Sequence, residues 1–334
     1  MSEPTIKGEI VKDILREFPL ATTRTLAGMI YKNNKQVFSS AEEVRSVIRY
    51  YRMANGKRSR EKVSTLEFKR DDAERFKENP YGLPDSEEME FEPYVLPVGY
   101  KNILFLSDIH VPYHNIPSLT ASLQYGKDCG VDCVWINGDL LDFYQLSSFE
   151  KDPRKRTVKY EIETTGEILN IIKRELGAKI YFKEGNHEYR LERYLRVKAP
   201  ELLDVDEFRL DVLLKMGELG IEYITGKRIV HFGKLNVLHG HEIGRGGVPV
   251  NPARTLFLKT KENAIAGHWH QTSEHSEPSL NGKPTACWSV GCLCELHPEY
   301  APINRWNHGF AHITIDDDRG FSVDNIRVYN GKIL

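Results

Sequence analysis

Residues 102–110 read NILFLSDIH. Ile103, Leu104, Phe105 and Leu106 form a continuous apolar run of strand length, the pattern of a strand covered on both faces. The run stops at Ser107, and Asp108 and His110 follow two residues apart. In an extended segment two such side chains point the same way. An anionic oxygen and an imidazole nitrogen are then expected to converge on one point, a donor pair suited to a divalent cation. Alone, Asp-x-His is far more often the polar end of a strand than a ligand pair.

Four further stretches repeat the pattern. Residues 131–139 (VDCVWINGD) end in Gly138-Asp139, and residues 178–187 (AKIYFKEGNH) lead into Gly185-Asn186-His187-Glu188. Residues 234–241 (KLNVLHGH) end in His239-Gly240-His241, and residues 263–270 (NAIAGHWH) in Gly267-His268-Trp269-His270. Each sets Asp, Asn or His where a buried strand gives way to a loop, beside a glycine that lets the backbone approach a ligand. In open α/β sheets that edge, outside the carboxyl ends of the strands, is where ligands bind.

The ordered set Asp-x-His, Gly-Asp, Gly-Asn-His-Glu, His-Gly-His and Gly-His-x-His resembles the calcineurin-like metallophosphoesterase superfamily from Val98 to Leu334. The resemblance implies an α/β (α+β) fold: a four-layer sandwich of two mixed β-sheets flanked by helices. It implies a two-metal centre. Asp108, His110, Asp139 and His270 would hold the first ion; Asp139, Asn186, His239 and His268 the second, with Asp139 shared. His239 is taken over His241 because it directly follows the strand. His187 would be the catalytic acid to the leaving oxygen, with Asn186 and His187 also meeting substrate. Two cations about 3.5–4 Å apart clamp a phosphate and activate water near neutral pH. Manganese is the first expectation, with iron, zinc, nickel, cobalt or magnesium as alternatives that imidazole and carboxylate donors also suit.

Length and composition bound the rest. The chain has 334 residues, enough for one large domain and a small one, and a net charge of -2, which gives it no global nucleic-acid character. No apolar run approaches the roughly 20 residues of a membrane span, and the start, Met-Ser-Glu-Pro, has no signal-peptide pattern. Five cysteines without framework spacing point to a reducing cytoplasm, with Cys292 and Cys294 expected as buried strand thiols.

Residues 1–64 read as a small helical, helix-turn-helix-like module. Apolar positions at helical spacing mark a first helix ending at Pro19, a second capped at Thr22 or Thr23, and a third starting at Ser39-Ser40-Ala41-Glu42-Glu43. Arg45, Arg49, Arg52, Lys57 and Arg58 are expected on the outer face of the third helix and its tail, as contacts to DNA. A solvated face or a protein-docking module is the alternative. Residues 65–97 read as a charged, Pro-rich linker in which Tyr94, Val95 and Leu96 want cover, and residues 98–334 as the catalytic domain.

Within that domain Asp142 is expected to orient a ligand or cap a turn, and residues 151–156 (KDPRKR) form a basic loop. A helix over 189–198 places Arg190 toward an anion, residues 201–220 continue as helix, and a glycine-rich loop offers Arg245. Arg190 and Arg245 complete the expected substrate contacts. The function expected is phosphoester hydrolysis by in-line attack of a hydroxide activated by two metals. A phosphodiesterase or nuclease acting on nucleic acid leads, ahead of a phosphomonoesterase of small molecules or phosphoproteins, and of a non-catalytic DNA-binding or scaffold protein. A fold and a metal set do not choose among substrates.

Overall fold

The computed structural model describes residues 6–19, 21–52, 92–152, 154, 157–244, 249–278, 280–282 and 284–334. Lys57, Arg58, Arg245 and most of the expected linker lie outside the described residues. The chain divides into two units, residues 1–89 and 90–334.

The first unit holds α1 (Ile6–Glu17), α2 (Thr23–Asn33) and α3 (Ala41–Tyr51). Their helical stripes meet in one core of Val11, Leu15, Leu26, Ala27, Ile30, Val44 and Ile48, closed by Phe38 from the connection. Thr22 Oγ1 caps α2 by accepting the Thr25 N–H. Ser40 accepts the Glu43 N–H while the Glu43 carboxylate returns to the Ser39 N–H, a reciprocal cap. The connection from α2 to α3 runs from Asn34 to Ser40, longer than the 3–4-residue turn that marks a helix-turn-helix. One expected DNA contact is corrected here. Arg52 is 8 % exposed, and its guanidinium donates to Thr23 Oγ1, Pro19 O and Ala21 O, so it ties the first turn to the third helix instead of facing out. Arg45 is exposed and paired with Glu42; Arg49 is exposed.

In the second unit β1 (Tyr94–Val95) precedes β2 (Asn102–Leu106), followed by α4 (Ile116–Asp128), β3 (Cys133–Ile136), α5 (Val158–Leu176), β4 (Lys179–Lys183) and α6 (Tyr189–Lys198). Two short helices, α7 (Leu210–Leu213) and α8 (Met216–Leu219), lead to β5 (Glu222–Ile224), β6 (Val230–Phe232) and β7 (Leu235–Leu238). Then come α9 (Pro252–Thr260), β8 (Ala264–Ala266), β9 (Ser273–Pro278), β10 (Pro284–Ser289), β11 (His308–Ile315), β12 (Phe321–Tyr329) and β13 (Lys332–Ile333). They make a seven-stranded mixed sheet, β13-β12-β11-β2-β3-β4-β5, and a six-stranded one, β1-β6-β7-β8-β10-β9.

Alternation along the strands builds the layers. Ile103, Phe105, Cys133 and Trp135 face Val230, Phe232, Leu235, Val237 and Ile265 between the sheets. Leu104, Leu106, Val134 and Ile136 face the other way, onto Leu119, Ile168, Leu169 and Ile172 of α4 and α5. Beyond the second sheet Leu256 of α9 covers Leu238, Ala264 and Ala266. The order is helix, sheet, sheet, helix, the expected sandwich. Tyr94 and Val95 pair parallel to Val230 and His231 at a sheet edge; Tyr94 packs on the core between the sheets and Leu96 is buried, but Val95 stays 52 % exposed.

Residues 201–220 are not one helix. The left-handed backbone of Lys215 (φ 50) and the turns after Pro200 break the segment into single turns. The strands β1, β6, β9 and β13 are not marked by the sequence: β1, β6 and β13 are two or three residues long, and β9 (SEHSEP) carries no apolar alternation.

Candidate metal centre

The loops after β2, β3, β4, β7 and β8 meet at one edge of the two sheets. The first two run side by side: Asp108 N–H donates to Gly138 O, His110 N–H to Asp139 O and Val111 N–H to Leu140 O. The extended geometry expected at Asp108-Ile109-His110 is corrected. Asp108 (φ 55) and His110 (φ 49) are both left-handed, and the strand ends at Leu106. Asp139 (φ 51), His268 (φ 68) and His270 (φ 55) share that conformation. For a residue with a side chain it costs on the order of 1 kcal/mol or more, and such outliers cluster where a side chain has to be aimed.

The aim is inward. His270 Nε2 lies 3.2 Å from Asp108 Oδ1 and 3.1 Å from His110 Nε2, which is itself 3.9 Å from Asp139 Oδ2. On the other side of Asp139, the same Oδ2 is 3.2 Å from His239 Nε2, which is 3.2 Å from Asn186 Oδ1. Asp108, His110 and Asp139 form one group able to hold an ion, and Asp139, His239 and His268 another. All seven donors expected from the sequence are thus brought together, with Asp139 between the two groups. His241 lies beside the second group, its ring centre 5.3 Å from that of His239 and its Nδ1 3.7 Å from Glu242 Oε2.

The residues fit a divalent cation by two observations. Asp108 Oδ2 is satisfied by Ser107 Oγ at 2.6 Å and by the His268 N–H at 2.8 Å, which leaves Oδ1 buried and turned to the imidazoles. Glycines cradle the donors: a Cβ at Gly185 would stand 2.3 Å from Asp139 Oδ1, at Gly138 2.5 Å from His239 Nδ1, and at Gly267 2.5 Å from Asp108 Oδ2.

Three of the imidazoles have a partner behind them, the arrangement that metal-ligating histidines need. His239 Nδ1 donates to Asn137 O at 2.6 Å. His110 Nδ1 lies 3.1 Å from Asp142 Oδ1, so Asp142 orients a candidate ligand. Cys294 Sγ is 3.9 Å from His270 Nδ1, and the Trp306 ring meets the His270 ring edge-on at 4.1 Å. Cys292 and Cys294 are buried, as expected, but they lie in the loop after β10 and not in a strand. Nothing in their spacing placed them behind His270. Glu188 was visible in its motif without a role. Its carboxylate accepts the N–H groups of Asp139 (2.9 Å), Leu140 (2.8 Å), Leu141 (3.1 Å) and Gly185 (2.8 Å), locking the loop after β3 to the loop after β4. Glu242 does the same on the next loop: it accepts the His239 and Gly240 N–H groups and pairs with buried Lys183 of β4, 2.7 Å away.

His187 borders the same cluster: its Nε2 lies 3.9 Å from Asp139 Oδ2, its ring meets that of His110 at 4.4 Å, and with His110 and Asp142 it forms a further group able to hold an ion. Its backbone N–H donates to Asp139 Oδ1, its Nδ1 to Asp142 O, and its Nε2 accepts from Arg190 Nη2 at 2.8 Å. Arg190 also donates to Asp142 O. In the basic loop, Lys151 donates to Gln145 O and Arg154 pairs with Asp152.

The charges are consistent with this donor set. Burial opposes ionisation of Asp139, but the imidazoles of His239, His187 and His110 outweigh it and hold the carboxyl well below its ordinary range. Burial likewise disfavours the His239 and His270 cations, yet Asp139 and Asp108 beside them raise these groups to about 10. Burial, then the His239 charge, pushes His268 down to about 4. Holding a cation displaces the protons on His239 and His270.

A family model described as calcineurin-like phosphoesterase matches residues 101–293, more than half of the chain. The Gene 54 protein of Mycobacterium phage L5 is 28 % identical over 233 residues, 65 % of this chain and 89 % of that protein. Among solved structures, zinc-complexed wild-type Vps29 from Entamoeba histolytica aligns with a TM-score of 0.38 at 14 % identity, over 70 % of this chain and 96 % of that one. The phosphoesterase YfcE from E. coli aligns at 0.33 and 15 % identity, over 67 % and 98 %. No helix among the described residues is long and apolar enough to cross a membrane. The chain belongs to the calcineurin-like phosphoesterases, divalent-metal-dependent hydrolases of phosphoester bonds.

Proposed function

We propose that this centre takes two divalent cations and hydrolyses a phosphodiester of the nucleotide or nucleic-acid class. The observation that carries the reading is the position of Asp139, whose Oδ2 lies within 3.9 Å of His110 and 3.2 Å of His239. Asp108, His110, Asp139 and His270 hold one ion, and Asp139, Asn186, His239 and His268 the other, with manganese the first expectation. When bound, such a pair supplies Lewis-acid charge for the phosphoryl oxygens and an activated water.

The chain's own groups do the rest. Asp142 and Asn137 fix the ring planes of His110 and His239 from behind. Arg190 is the phosphoryl contact and His187 the acid to the leaving oxygen. These two engage each other, so a substrate draws the guanidinium onto its own oxygens before His187 Nε2 carries a proton. The three-helix unit is assigned to nucleic acid through Arg49 and Arg45, with Lys57 and Arg58 beyond the described residues; Arg52 is withdrawn. Arg245 stays a proposed anion contact. Five free thiols favour a reducing cytoplasm.

The test is hydrolysis of bis(p-nitrophenyl) phosphate, p-nitrophenyl phosphate and DNA with excess Mn²⁺, with and without chelator, for the native chain and Asp139→Asn. Chelator-sensitive diester and DNA cleavage, abolished in the variant, is expected. Cleavage of the monoester alone moves the assignment to a phosphomonoesterase. Full rate in Asp139→Asn rules out the two-metal reading, and no turnover with any metal returns the chain to a binding role.

A further inference from the structure

Residues 295–307, ELHPEYAPINRWN, form most of the connection from β10 to β11, and the metal centre leaves them without a task. Both ends are anchored beside the centre: the Glu295 N–H donates to Tyr113 O in the loop after β2, and the Asn307 N–H to His270 O. Inside the loop, Asn304 Nδ2 donates to Leu296 O and Ala301 O, and Asn304 Oδ1 accepts the Trp306 N–H at 2.8 Å. The Ala301 N–H donates to Pro298 O, and Pro298 and Pro302 fix φ two residues before and two after Tyr300.

This frame carries a line of rings outward from the centre. Trp306 meets His270 edge-on at 4.1 Å, and Tyr300 meets Trp306 edge-on at 6.2 Å. Tyr300 is 73 % exposed, so packing of its ring does not account for the aromatic residue. Its hydroxyl finds no hydrogen-bond partner among the described residues. The charges that act on that hydroxyl are those of the centre's mouth, Asp142, Cys294, Arg190 and Asp139. It therefore stands on the side where Arg190 and His187 engage each other. Burial of the hydroxyl end, then the Asp142 charge, raises its pKa above the ordinary tyrosine range, so the phenol keeps its proton as a neutral donor.

We infer that the Tyr300 hydroxyl donates to a phosphoryl oxygen of the ester held at the metal centre, as a second donor beside Arg190. The inference rests on the hydrolytic role proposed for that centre. A donor held in place before the ester arrives costs no reorganisation as charge builds on the phosphoryl oxygens, so its bond strengthens in the transition state. The loop that presents it is the one whose Trp306 covers His270, a candidate ligand of the first ion.

Tyr300→Phe removes the hydroxyl and leaves the ring on Trp306. The assay is hydrolysis of bis(p-nitrophenyl) phosphate and p-nitrophenyl phosphate with Mn²⁺, beside calorimetric titration of Mn²⁺ into both chains. For whichever ester the native chain cleaves, kcat/KM should fall about ten-fold, chiefly in kcat, with Mn²⁺ affinity unchanged within about two-fold. A kcat/KM within about two-fold of native overturns the inference and leaves the centre standing. A fall in rate matched by an equal fall in Mn²⁺ affinity also overturns it, since the hydroxyl then supports the ligands and not the substrate. If the native chain cleaves neither ester, the hydrolytic reading fails by itself, and the affinity of the Mn²⁺-loaded chains for orthovanadate decides Tyr300. A loss of about ten-fold in Tyr300→Phe upholds the contact; equal affinity, or no binding to the native chain, overturns it.

Discussion

Lys183→Met removes one charge from a largely buried ion pair. Lys183 is fully buried at the end of β4, its Nζ 2.7 Å from Glu242 Oε1, and Glu242 holds the two N–H groups that fix His239. At an effective dielectric near 20, Coulomb's law gives 332/(20 × 2.7), about 6 kcal/mol, as the gross attraction. Truncating one member of a buried pair typically costs about 3–5 kcal/mol. Glu242 keeps its two N–H bonds and methionine fills the lysine stem, so a loss of about 3 kcal/mol is expected. Removing both charges, in Lys183→Met with Glu242→Gln, leaves no ion stranded and should bring stability to within about 1–2 kcal/mol of the native chain. The assay is urea unfolding followed by tryptophan fluorescence. Trp135, Trp269, Trp288 and Trp306, all the tryptophans of the chain, lie in residues 90–334, so the signal reports that unit. With a slope of about 3 kcal/mol/M the single variant loses about 1 M in midpoint. The sign with pH follows. Burial opposes the Glu242 charge, but Lys183 and the two histidines hold its pKa down at about 2, below the ordinary 4.5. The pair's contribution is therefore present above about 4.5 and fades as pH falls through about 2, and the gap between native and variant narrows over that window. A loss below about 1 kcal/mol, or a double variant no better than the single one, refutes the reasoning.

Asp142→Asn should weaken metal binding about 10–100-fold by calorimetric titration with Mn²⁺ or Zn²⁺, because His110 loses the carboxylate behind it, and unchanged affinity refutes that role. Glu161 is fully buried on α5; burial first and the Asp142 charge second push it up to about 8 against the opposing N–H groups of Phe143 and Tyr144. With the folded pKa raised, the native state holds the extra proton between about 4.5 and 8, so stability falls across that window by roughly 3–5 kcal/mol. Glu161→Gln should flatten the fall in denaturant midpoints at pH 5 and 9, and an unchanged slope sinks the argument. Arg52→Met strands the acceptors at Pro19, Ala21 and Thr23, a loss of about 2 kcal/mol. Amide exchange in α1 and α2 of the full chain should then rise about 30-fold, and a change under three-fold counts against it.

The sandwich and the convergence of the seven candidate donors were legible because they follow from one local rule, an apolar run that ends in Asp, Asn or His, usually beside glycine. The rule reads the ends of β2, β3, β4, β7 and β8 correctly because buried parallel strands need continuous hydrophobicity. It fails where a strand is an edge or a fragment: β9, SEHSEP, is held by its partner β10 and not by its own pattern. The geometry that converges Asp108 and His110 was misread, since periodicity cannot announce a left-handed residue that is not glycine. The groups behind the donors, Cys294, Trp306, Asn137 and the Lys183–Glu242 pair, were out of reach because each meets its partner through the fold and not along the chain. Arg52 was misplaced for a related reason: a helix-end arginine looks solvated until the carbonyls it caps are brought to it.

The left-handed backbone at Asp108, His110, Asp139, His268 and His270 sets main chain against side chain. Glycine at any of the five would relieve strain on the order of 1 kcal/mol. At Asp108 and Asp139 the same change would strand the His268 and His187 N–H groups that the two carboxylates accept, a cost of about 1–3 kcal/mol each. The strained conformation at these two aspartates is thus held in place by the bonds that their own side chains make.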